Sequence, residues 1–344
     1  MRVLVLSEAV GDLSPGTSGA AVARGWAALG HQVAVVPLAA AGAGVAAAVA
    51  DLTGGQGDRR GAGAPADVVV VGDPGPHDGS SAGLGGALAV ALATGPDEIW
   101  LDLATSAATD AGEGLVVRLA DPDAGSAADP ALVAASRVRL GRTRLVGVVP
   151  QAETGAELTG LRGVASLAAA TERAAGGAPA PIAELLRRDT ALALVATRLG
   201  LEDPPRGAGA VRGLGLAVLA LGGQLTSAPA ALGSLARVGR TVESADLLVV
   251  VADAIDFGDA GGEVVAAARS WAEAALLPCV AVCGEVRISA RELRTLGIEA
   301  AYGLPAGASP SEESLAVLGR RVAATWSWPS GNRRGRAGVD ANVD

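Results

Sequence analysis

The sequence predicts an α/β protein built on parallel β-sheet. Two stretches carry this prediction, 1–38 and 244–304, and in each of them an apolar strand is followed by a helix and then by another apolar strand. This order makes parallel strands that are buried on both faces. Ligands of such sheets bind outside the carboxyl ends of the strands. The loops after the strands are therefore the first places to look for a site.

The carboxyl-terminal stretch shows the pattern most clearly. Its segments are a strand at 245–251, an acidic and glycine-rich turn at 252–262, a helix at 263–275, and further strands at 278–283 and 297–304. Gly284 ends the middle strand of the three. We expect the loops that open at Ala252 and Gly284 to lie at the ligand-binding edge of the sheet.

The rest of the chain contains further segments of the same two kinds. We predict strands at 1–6, 31–38, 67–71, 98–103 and 142–149, and helices at 19–28, 83–94, 182–199 and 311–328. Ser18 is a candidate N-cap for the first of these helices. The turn-rich segment 72–81 marks a candidate domain boundary. The tail at 329–344 is polar and without periodicity, so we expect it to be disordered.

Composition narrows the range of functions. The net charge is −9, and the aromatic residues are five Trp, one Tyr and one Phe. Neither a basic surface nor stacking platforms are indicated, which argues against nucleic acid and anionic membrane as partners. All 27 basic residues are arginine. A Schiff-base lysine and a P-loop lysine are thus excluded.

Cysteine usage and the apolar segments indicate a cytoplasmic protein. Cys279 and Cys283 lie four apart on one predicted strand, about 13 Å from each other, too far to form a disulfide. Buried, reduced cysteines suit a reducing compartment. The first apolar run meets Glu8 at once, which does not predict a signal peptide. The Ala-rich run 33–50 is interrupted by Pro37 and glycines, so we do not expect it to span a membrane.

The carboxyl-terminal stretch resembles the glycerate kinase family, whose members phosphorylate glycerate with ATP and magnesium. In that family a strand reading A-D-L-V-x-T-G-E-G-x-L-D is followed by a helix, a strand ending in A-G, and a strand of the type G-I-D-A-A-F. The matching segments here are 245–247, 255–256, 282–284 and 297–302. The resemblance implies that Asp256 has a catalytic role and binds the metal, and that Gly284 lies at the substrate. Asp253 does not match a family acid, and it is a candidate metal ligand that would stand in for one.

Two internal motifs extend the resemblance. Segment 104–114 is similar to the family's G-G-S-A-T-N-D-G-G-A-G and retains Ser106, Asp110, Gly112 and Gly114. Small residues before a helix leave N–H groups that can hold an anion. Ser106 would donate to a phosphate or substrate oxygen, and Asp110 would bind Mg²⁺ or accept a hydroxyl proton. The alternative is that Thr109 or Asp110 simply caps the helix.

The second internal motif is the glycine-rich segment 205–215, which is similar to the family's P-G-A-G-A-A-G-G-L-G. It retains Gly207, Gly209 and Gly213, which we assign to phosphate or substrate binding, with close helix packing as the alternative. At the start of the chain, the loop after the first strand is similar to D-S-F-K-G-S-L-S, and it retains Ser14 as a further candidate for substrate binding.

The chain also departs from the family pattern at charged positions. The family's lysines correspond to Val10 and Glu263, and three of its acids correspond to Ala40, Ala43 and Ala252. Phosphoryl transfer needs cations for the phosphates and carboxylates for the metal. Two hypotheses therefore stand. One is a divergent glycerate kinase that uses ATP and Mg²⁺; the other is a catalytically silent member that binds a nucleotide, an organic acid or a protein partner.

The resemblance spans about 1–325 and implies the domain organisation. We expect two α/β domains with Rossmann-like parallel sheets around a cleft. The first is a discontinuous domain of residues 1–78 plus 206–328, and the second, inserted domain is 79–205. The expected partners are a small hydroxy acid and ATP, without nucleic acid or membrane. A homo-oligomer is compatible with the sequence.

Overall fold

The computed structural model describes residues 1–54, 67–75, 78–121, 123, 127–258 and 260–327. The strands of this part of the chain are β1 (Arg2–Ser7), β2 (Gln32–Pro37), β3 (Val68–Val71), β4 (Glu98–Asp102), β5 (Arg144–Val149), β6 (Gln224–Ser227), β7 (Leu247–Ile255), β8 (Cys279–Val286) and β9 (Ala300–Gly303). The predicted tail at 329–344 lies outside the described residues.

Helices alternate with these strands along much of the chain. Those in the described ranges are α1 (Pro15–Ala28), α2 (Gly44–Thr53), α3 (Ala82–Leu92), α4 (Glu113–Ala120), α5 (Pro130–Leu140), α6 (Val164–Ala174), α7 (Ile182–Arg198), α8 (Leu214–Ala220), α9 (Ala228–Leu235), α10 (Val238–Ser244), α11 (Gly262–Ala274), α12 (Ala290–Thr295) and α13 (Glu312–Trp326). No helix in the described ranges is long and apolar enough to cross a membrane.

The strands form two sheets, and every strand pair within them is parallel. One sheet has the order β2-β1-β7-β8-β9, and the other has the order β3-β4-β5-β6. Parallel strands need crossover connections, which the intervening helices supply. The predicted α/β class with Rossmann-like parallel sheets is therefore confirmed.

The chain divides into two compact units, and one of them contains both chain ends. The terminal unit consists of Met1–Pro37 and Arg237–Asp344, and the inserted unit consists of Leu38–Ala236. The changes of unit thus fall after 37 and 236, whereas the sequence patterns placed them near 78 and 206. The physical reason is strand pairing, because β3 pairs with β4 and β6 pairs with β5 in the inserted unit.

The terminal unit packs helices α1 and α13 together beside its sheet. The buried side chains include Trp26 from α1 and Leu315 and Val322 from α13. The helices meet at Gly25 and Gly319, where an added Cβ at either position would collide with the backbone of the other helix. Burying a large aliphatic side chain contributes about 1.5–3 kcal/mol, so this helix pair is a main source of the unit's stability.

Helix α1 begins earlier than the sequence suggested. Its N-cap is Ser14, whose hydroxyl accepts a hydrogen bond from the Thr17 N–H, and Pro15 opens the first turn. Ser18, the predicted cap, is buried within the helix, where its hydroxyl donates to the Glu8 carbonyl at 2.6 Å. Proline is favoured at the first helical position because its missing N–H has no helical partner there. The cap assignment to Ser18 is thus wrong.

Strands β7 and β8 continue beyond their predicted ends. Ala252 is paired with Cys283, and Ala254 with Glu285, so the strands run on to Ile255 and Val286. Ala252 and Gly284 therefore lie inside the sheet, and the expected loops open a few residues later. Cys279 and Cys283 are buried free thiols, and burial raises the pKa of Cys279 to about 12. Neither is a reactive thiolate.

Candidate functional site

Two acidic residues follow adjacent strands of the inserted unit, Asp73 after β3 and Asp102 at the end of β4. One hydroxyl joins their backbones, since the Asp73 N–H donates to Thr105 Oγ1 at 2.9 Å and this hydroxyl donates to the Asp102 carbonyl at 2.7 Å. Because the strands are parallel, both acids lie at the carboxyl edge of the sheet, where ligands bind in folds of this class.

Asp102 is a buried carboxylic acid, and the Gly42 N–H donates to both of its oxygens. The side chain is 2% exposed, and both Oδ1 and Oδ2 lie 3.1 Å from the Gly42 nitrogen. Burial raises the pKa of Asp102 to about 6, although hydrogen bonds from the backbone at Gly42 and Ala104 act in the opposite direction. Desolvation outweighs hydrogen bonding here. Asp102 therefore keeps its proton to a higher pH than an ordinary aspartic acid does.

Ser106 is bonded to the acid of the neighbouring strand. Its hydroxyl donates to Asp73 Oδ2 at 2.5 Å and accepts from the Ala108 N–H at 3.2 Å. The Arg212 guanidinium donates to the Ser106 and Ala108 carbonyls, so an exposed cation braces the same loop. The sequence-predicted Ser106 thus lies in one hydrogen-bonded cluster with Asp73, Asp102 and Thr105.

Asp110 lies at the entry to α4 and serves as an acceptor for backbone groups. Its Oδ2 accepts from the N–H and hydroxyl of Ser81 and from the Gly114 N–H, and its Oδ1 accepts from the Gly112 N–H, at 2.8–3.1 Å. A carboxylate among the free N–H groups of a helix start is stabilising. This geometry is that of the capping alternative.

The predicted anion-binding glycines of this segment are held by the same carboxylate. The N–H groups of Gly112 and Gly114 point to Asp110, and the Leu115 N–H donates to the Ser81 hydroxyl. A Cβ on Gly114 would lie 2.7 Å from Asp110 Oδ2 and 2.8 Å from Ser80 Oγ. These glycines allow close packing around the carboxylate, and their N–H groups already have acceptors.

The glycines of segment 205–215 pack closely as well. The Gly207 and Gly209 N–H groups both donate to the Ala156 carbonyl, and the Gly213 N–H donates to the carbonyls of Gly209 and Ala210. A Cβ on Gly209 would collide with the Glu157 carbonyl, and one on Gly207 would lie 2.7 Å from Leu225. The backbone donors that the sequence assigned to phosphate are therefore hydrogen-bonded within the protein.

A second group of sequence-predicted residues meets in the terminal unit. Asp253 Oδ1 accepts from the Gly11 N–H at 2.9 Å, while the Asp253 N–H donates to Glu8 Oε1 at 3.2 Å. Gly284 faces them, because an added Cβ would lie 2.7 Å from the Asp253 carbonyl. Of these two carboxylates, Glu8 directly follows β1, and Asp253 lies within β7, two residues before its end. Ser14 caps α1 nearby in sequence and bonds to Thr17.

Asp256 closes the turn after β7, where its Oδ1 accepts from the Gly258 N–H at 2.7 Å. Asp253 and Asp256 belong to the terminal unit, and Asp110 belongs to the inserted unit. Within the described ranges, no group of three or more His, Cys, Asp or Glu side chains is arranged to hold a metal ion.

A pocket in the inserted unit opens beside the capped helix start. It has a volume of about 420 Å³ and lies between α4, α6 and α7. Asp110 and Arg212 line it, so it adjoins the loop that carries Ser106. Pockets of this size suit small-molecule ligands.

Sequence reasoning missed Asp73, Asp102 and Glu8. A simple signal was present, because each of these acids stands at the carboxyl end of an apolar strand or within two residues after it. The family motif predicted Asp110 as the catalytic acid instead, because that residue is retained in the glycine-rich segment 104–114.

Comparison with models of known protein families identifies a match. Residues 62–327, more than half of its length, match the model of the glycerate kinase family. This range includes the segments around Asp73, Asp102, Ser106 and Arg212.

Curated relatives are found in mycobacteria. The uncharacterized proteins Mb2228c of Mycobacterium bovis and MT2261 of Mycobacterium tuberculosis are each 30% identical to this chain over 229 residues, which make up 65% of this chain and 55% of the relative. The chain thus spans about half the length of these relatives.

A solved structure shares the fold. The crystal structure described as "putative glycerate kinase 2" from Salmonella typhimurium LT2 superposes with a TM-score of 0.68 at 19% identity, covering 94% of this chain and 98% of that one. With two parallel sheets of matching architecture and the family match over most of its length, the chain belongs to the glycerate kinase family.

Proposed function

We propose that this protein is a cytoplasmic ATP-dependent kinase that phosphorylates a hydroxyl group of glycerate or of a closely related small hydroxy acid. Family membership supports the reaction class. The observation that carries the proposal is Asp102, a buried carboxyl group at the carboxyl end of β4 whose pKa is raised to about 6 by burial. A general base works best when its pKa lies near the operating pH.

Asp102 also brings a carboxylate to the segment after β2, which has alanine at the two positions where the family pattern has acids. The segment after β2 is similar to the family's M-A-D-G-G-E-G-T, and its two acid positions hold Ala40 and Ala43. Asp102, from a different strand, places its carboxylate on the N–H of Gly42, between those two alanines in sequence. In this proposal Asp102, at the end of β4, takes over the role of the acids that are missing from the segment after β2.

The two acids have different environments, which suits two roles. Asp102 is buried and has a raised pKa, so it is the proposed proton acceptor for the substrate hydroxyl. Asp73 is half-buried and bonded to Ser106, so it is the proposed oxygen ligand. Ser106 holds the Asp73 carboxylate in place.

Carboxylate oxygens fit a magnesium ion, which proteins commonly bind through one or two carboxylates together with substrate phosphates. Asp73 would supply such an oxygen, while Asp102 remains free to accept the proton of the substrate hydroxyl. When bound, Mg·ATP supplies the phosphoryl group and the charge neutralisation that its transfer needs. Since the chain has no lysine, Arg212 beside Ser106 is the proposed cation that faces the phosphates.

Calorimetric titration tests the proposal. The protein is titrated with Mg·ATP, and then again with D-glycerate present, and ADP release is measured in parallel. Saturable, magnesium-dependent ATP binding that tightens with D-glycerate, together with glycerate-dependent ADP release, is the expected result. The absence of heat with either ligand at millimolar concentration would contradict the kinase proposal.

A specific observation favours a second candidate, a catalytically silent family member that binds a nucleotide or an organic acid. Five charged positions of the family pattern hold Val10, Glu263, Ala40, Ala43 and Ala252, and Asp110 serves as a helix cap. The same titration separates the two candidates, because a silent member would bind ligand without releasing ADP.

A further inference from the structure

The pocket between α4, α6 and α7 is lined by aliphatic side chains and by charged side chains. Seven of the fourteen residues that line it are aliphatic, and four of these seven are alanine: Ala111, Ala165, Ala168 and Ala191. Alanine predominates, so the wall is shallow and smooth. A slot of this kind accepts a flat apolar group, because small side chains leave room for it between the helices.

Charged side chains of both signs surround this aliphatic wall. They are Arg187, Arg188, Arg212, Asp110, Glu113 and Glu172. Arg188 lies 3.7 Å from Glu172, and Glu113 is bonded to Arg198 at 2.8 Å. A matching ligand therefore has an apolar body, hydroxyl or amino groups that donate to carboxylates, and anionic groups that accept from guanidinium.

The helices that form the outer walls contribute little to the core of the unit. Ala165 is the buried residue of α6, and Ala196 is the buried residue of α7. The pocket wall residues of these helices are thus partly open rather than filled by neighbouring side chains. This leaves the slot accessible to a ligand.

Arg212 connects the pocket with the proposed catalytic cluster. It lines the pocket, and its guanidinium donates to the carbonyl groups of Ser106 and Ala108. Ser106 in turn donates to Asp73. A ligand that fills the slot and extends past Arg212 therefore leads toward the carboxylates of the inserted unit.

We propose that this pocket holds the nucleoside end of ATP, with the base against the alanine wall of α6 and the phosphates directed past Arg212. This inference rests on the proposed kinase function and adds the location of the nucleotide. A nucleoside phosphate combines the required features, namely a flat base, ribose hydroxyls that donate to Glu172 or Asp110, and an anionic tail for the arginines.

Substitution of an alanine in the slot tests this location. Ala168→Trp fills the pocket, and the dissociation constant for Mg·ATP, measured by calorimetry, is expected to rise at least tenfold. The matched control is Ala170→Trp, because Ala170 lies on the same helix but is exposed and does not line the pocket. The control is expected to bind Mg·ATP like the wild type.

Photolabelling of the wild-type protein tests the location without any substitution. After irradiation with 8-azido-ATP and cleavage at arginine, the label is expected on the peptides 163–173 and 189–198, and excess ATP should abolish it. If ATP binds but the label lies elsewhere and Ala168→Trp binds normally, the location is overturned and the kinase proposal stands. If the wild type binds no ATP at millimolar concentration, both are overturned.

Discussion

The Gly42 N–H lies 3.1 Å from each carboxylate oxygen of Asp102, so the segment after β2 is tied to the end of β4. The contact joins a backbone amide to a side chain that is 2% exposed. Its energetic consequence is a conflict, because the hydrogen bond favours the charged carboxylate while burial favours the neutral acid. Burial prevails and raises the pKa of Asp102 to about 6.

This conflict predicts how Asp102 affects stability across the pH range. The folded pKa of about 6 lies above 3.8, the ordinary value of an aspartic acid, so the folded state binds the proton more tightly than the unfolded state. Asp102 therefore stabilises the fold most below pH 3.8, and this contribution is lost as the pH rises through 6. The full loss is on the order of 3 kcal/mol.

Asp102→Asn is the matched variant, since its amide oxygen can still accept from Gly42 but does not titrate. As the pH rises from 5 to 7.5, we expect the free energy of unfolding of the wild type, measured by urea denaturation, to fall by about 1–2 kcal/mol relative to that of Asp102→Asn. A constant difference between the two proteins over this range would show that Asp102 is not a raised-pKa acid.

Asp110→Ala is expected to destabilise the fold, because the Ser81, Gly112 and Gly114 donors lose their common acceptor. The expected loss is about 2–3 kcal/mol in urea denaturation. The control is Asp129→Ala, which removes the N-cap of α5, where the carboxylate accepts from the Leu132 N–H. That variant should lose about 1 kcal/mol. Unchanged stability of Asp110→Ala would contradict the capping role, and Asp110 would again be a candidate catalytic residue.

The sequence predicted the fold better than the site. Apolar strands followed by helices are local signals, and they were sufficient to predict parallel sheets around β1 and β7. The end of β7 was not predictable in the same way, because Ala252 and Ala254 extend the strand only through their pairing with β8. The domain boundaries likewise depend on which strands pair, and single-sequence patterns do not contain that information.

The same limit applies to the candidate site. Ser106 was found because a motif marks it. Asp102 was missed because its environment depends on burial and on Gly42, which lies 60 residues earlier. The glycines of segment 205–215 show the opposite error, because their pattern predicts a phosphate-binding role that the hydrogen bonds of the fold do not require. In the structure, the N–H groups of Gly207 and Gly209 share the Ala156 carbonyl.

Gly209→Ala is expected to disrupt the inserted unit, because the new Cβ would collide with the Glu157 carbonyl. Backbone atoms cannot move aside cheaply, so we expect a loss of stability above about 3 kcal/mol or insoluble protein. Gly155→Ala is the control, since nothing lies within 4 Å of its added Cβ. Thermal unfolding should show Gly155→Ala to be unchanged or slightly more stable. Normal stability of Gly209→Ala would refute the packing role of this segment.

The most direct measurement is the pH dependence of glycerate-dependent ADP release for the wild type and Asp102→Asn. For the wild type, kcat/KM is expected to rise with pH through about 6 as Asp102 loses its proton. Asp102→Asn is expected to lose about 10²–10⁴-fold in kcat and to lack this rise, with ATP affinity retained. Equal activity of the two proteins, or no ADP release by the wild type at any pH, would contradict the assignment of Asp102 as the base of a hydroxy-acid kinase.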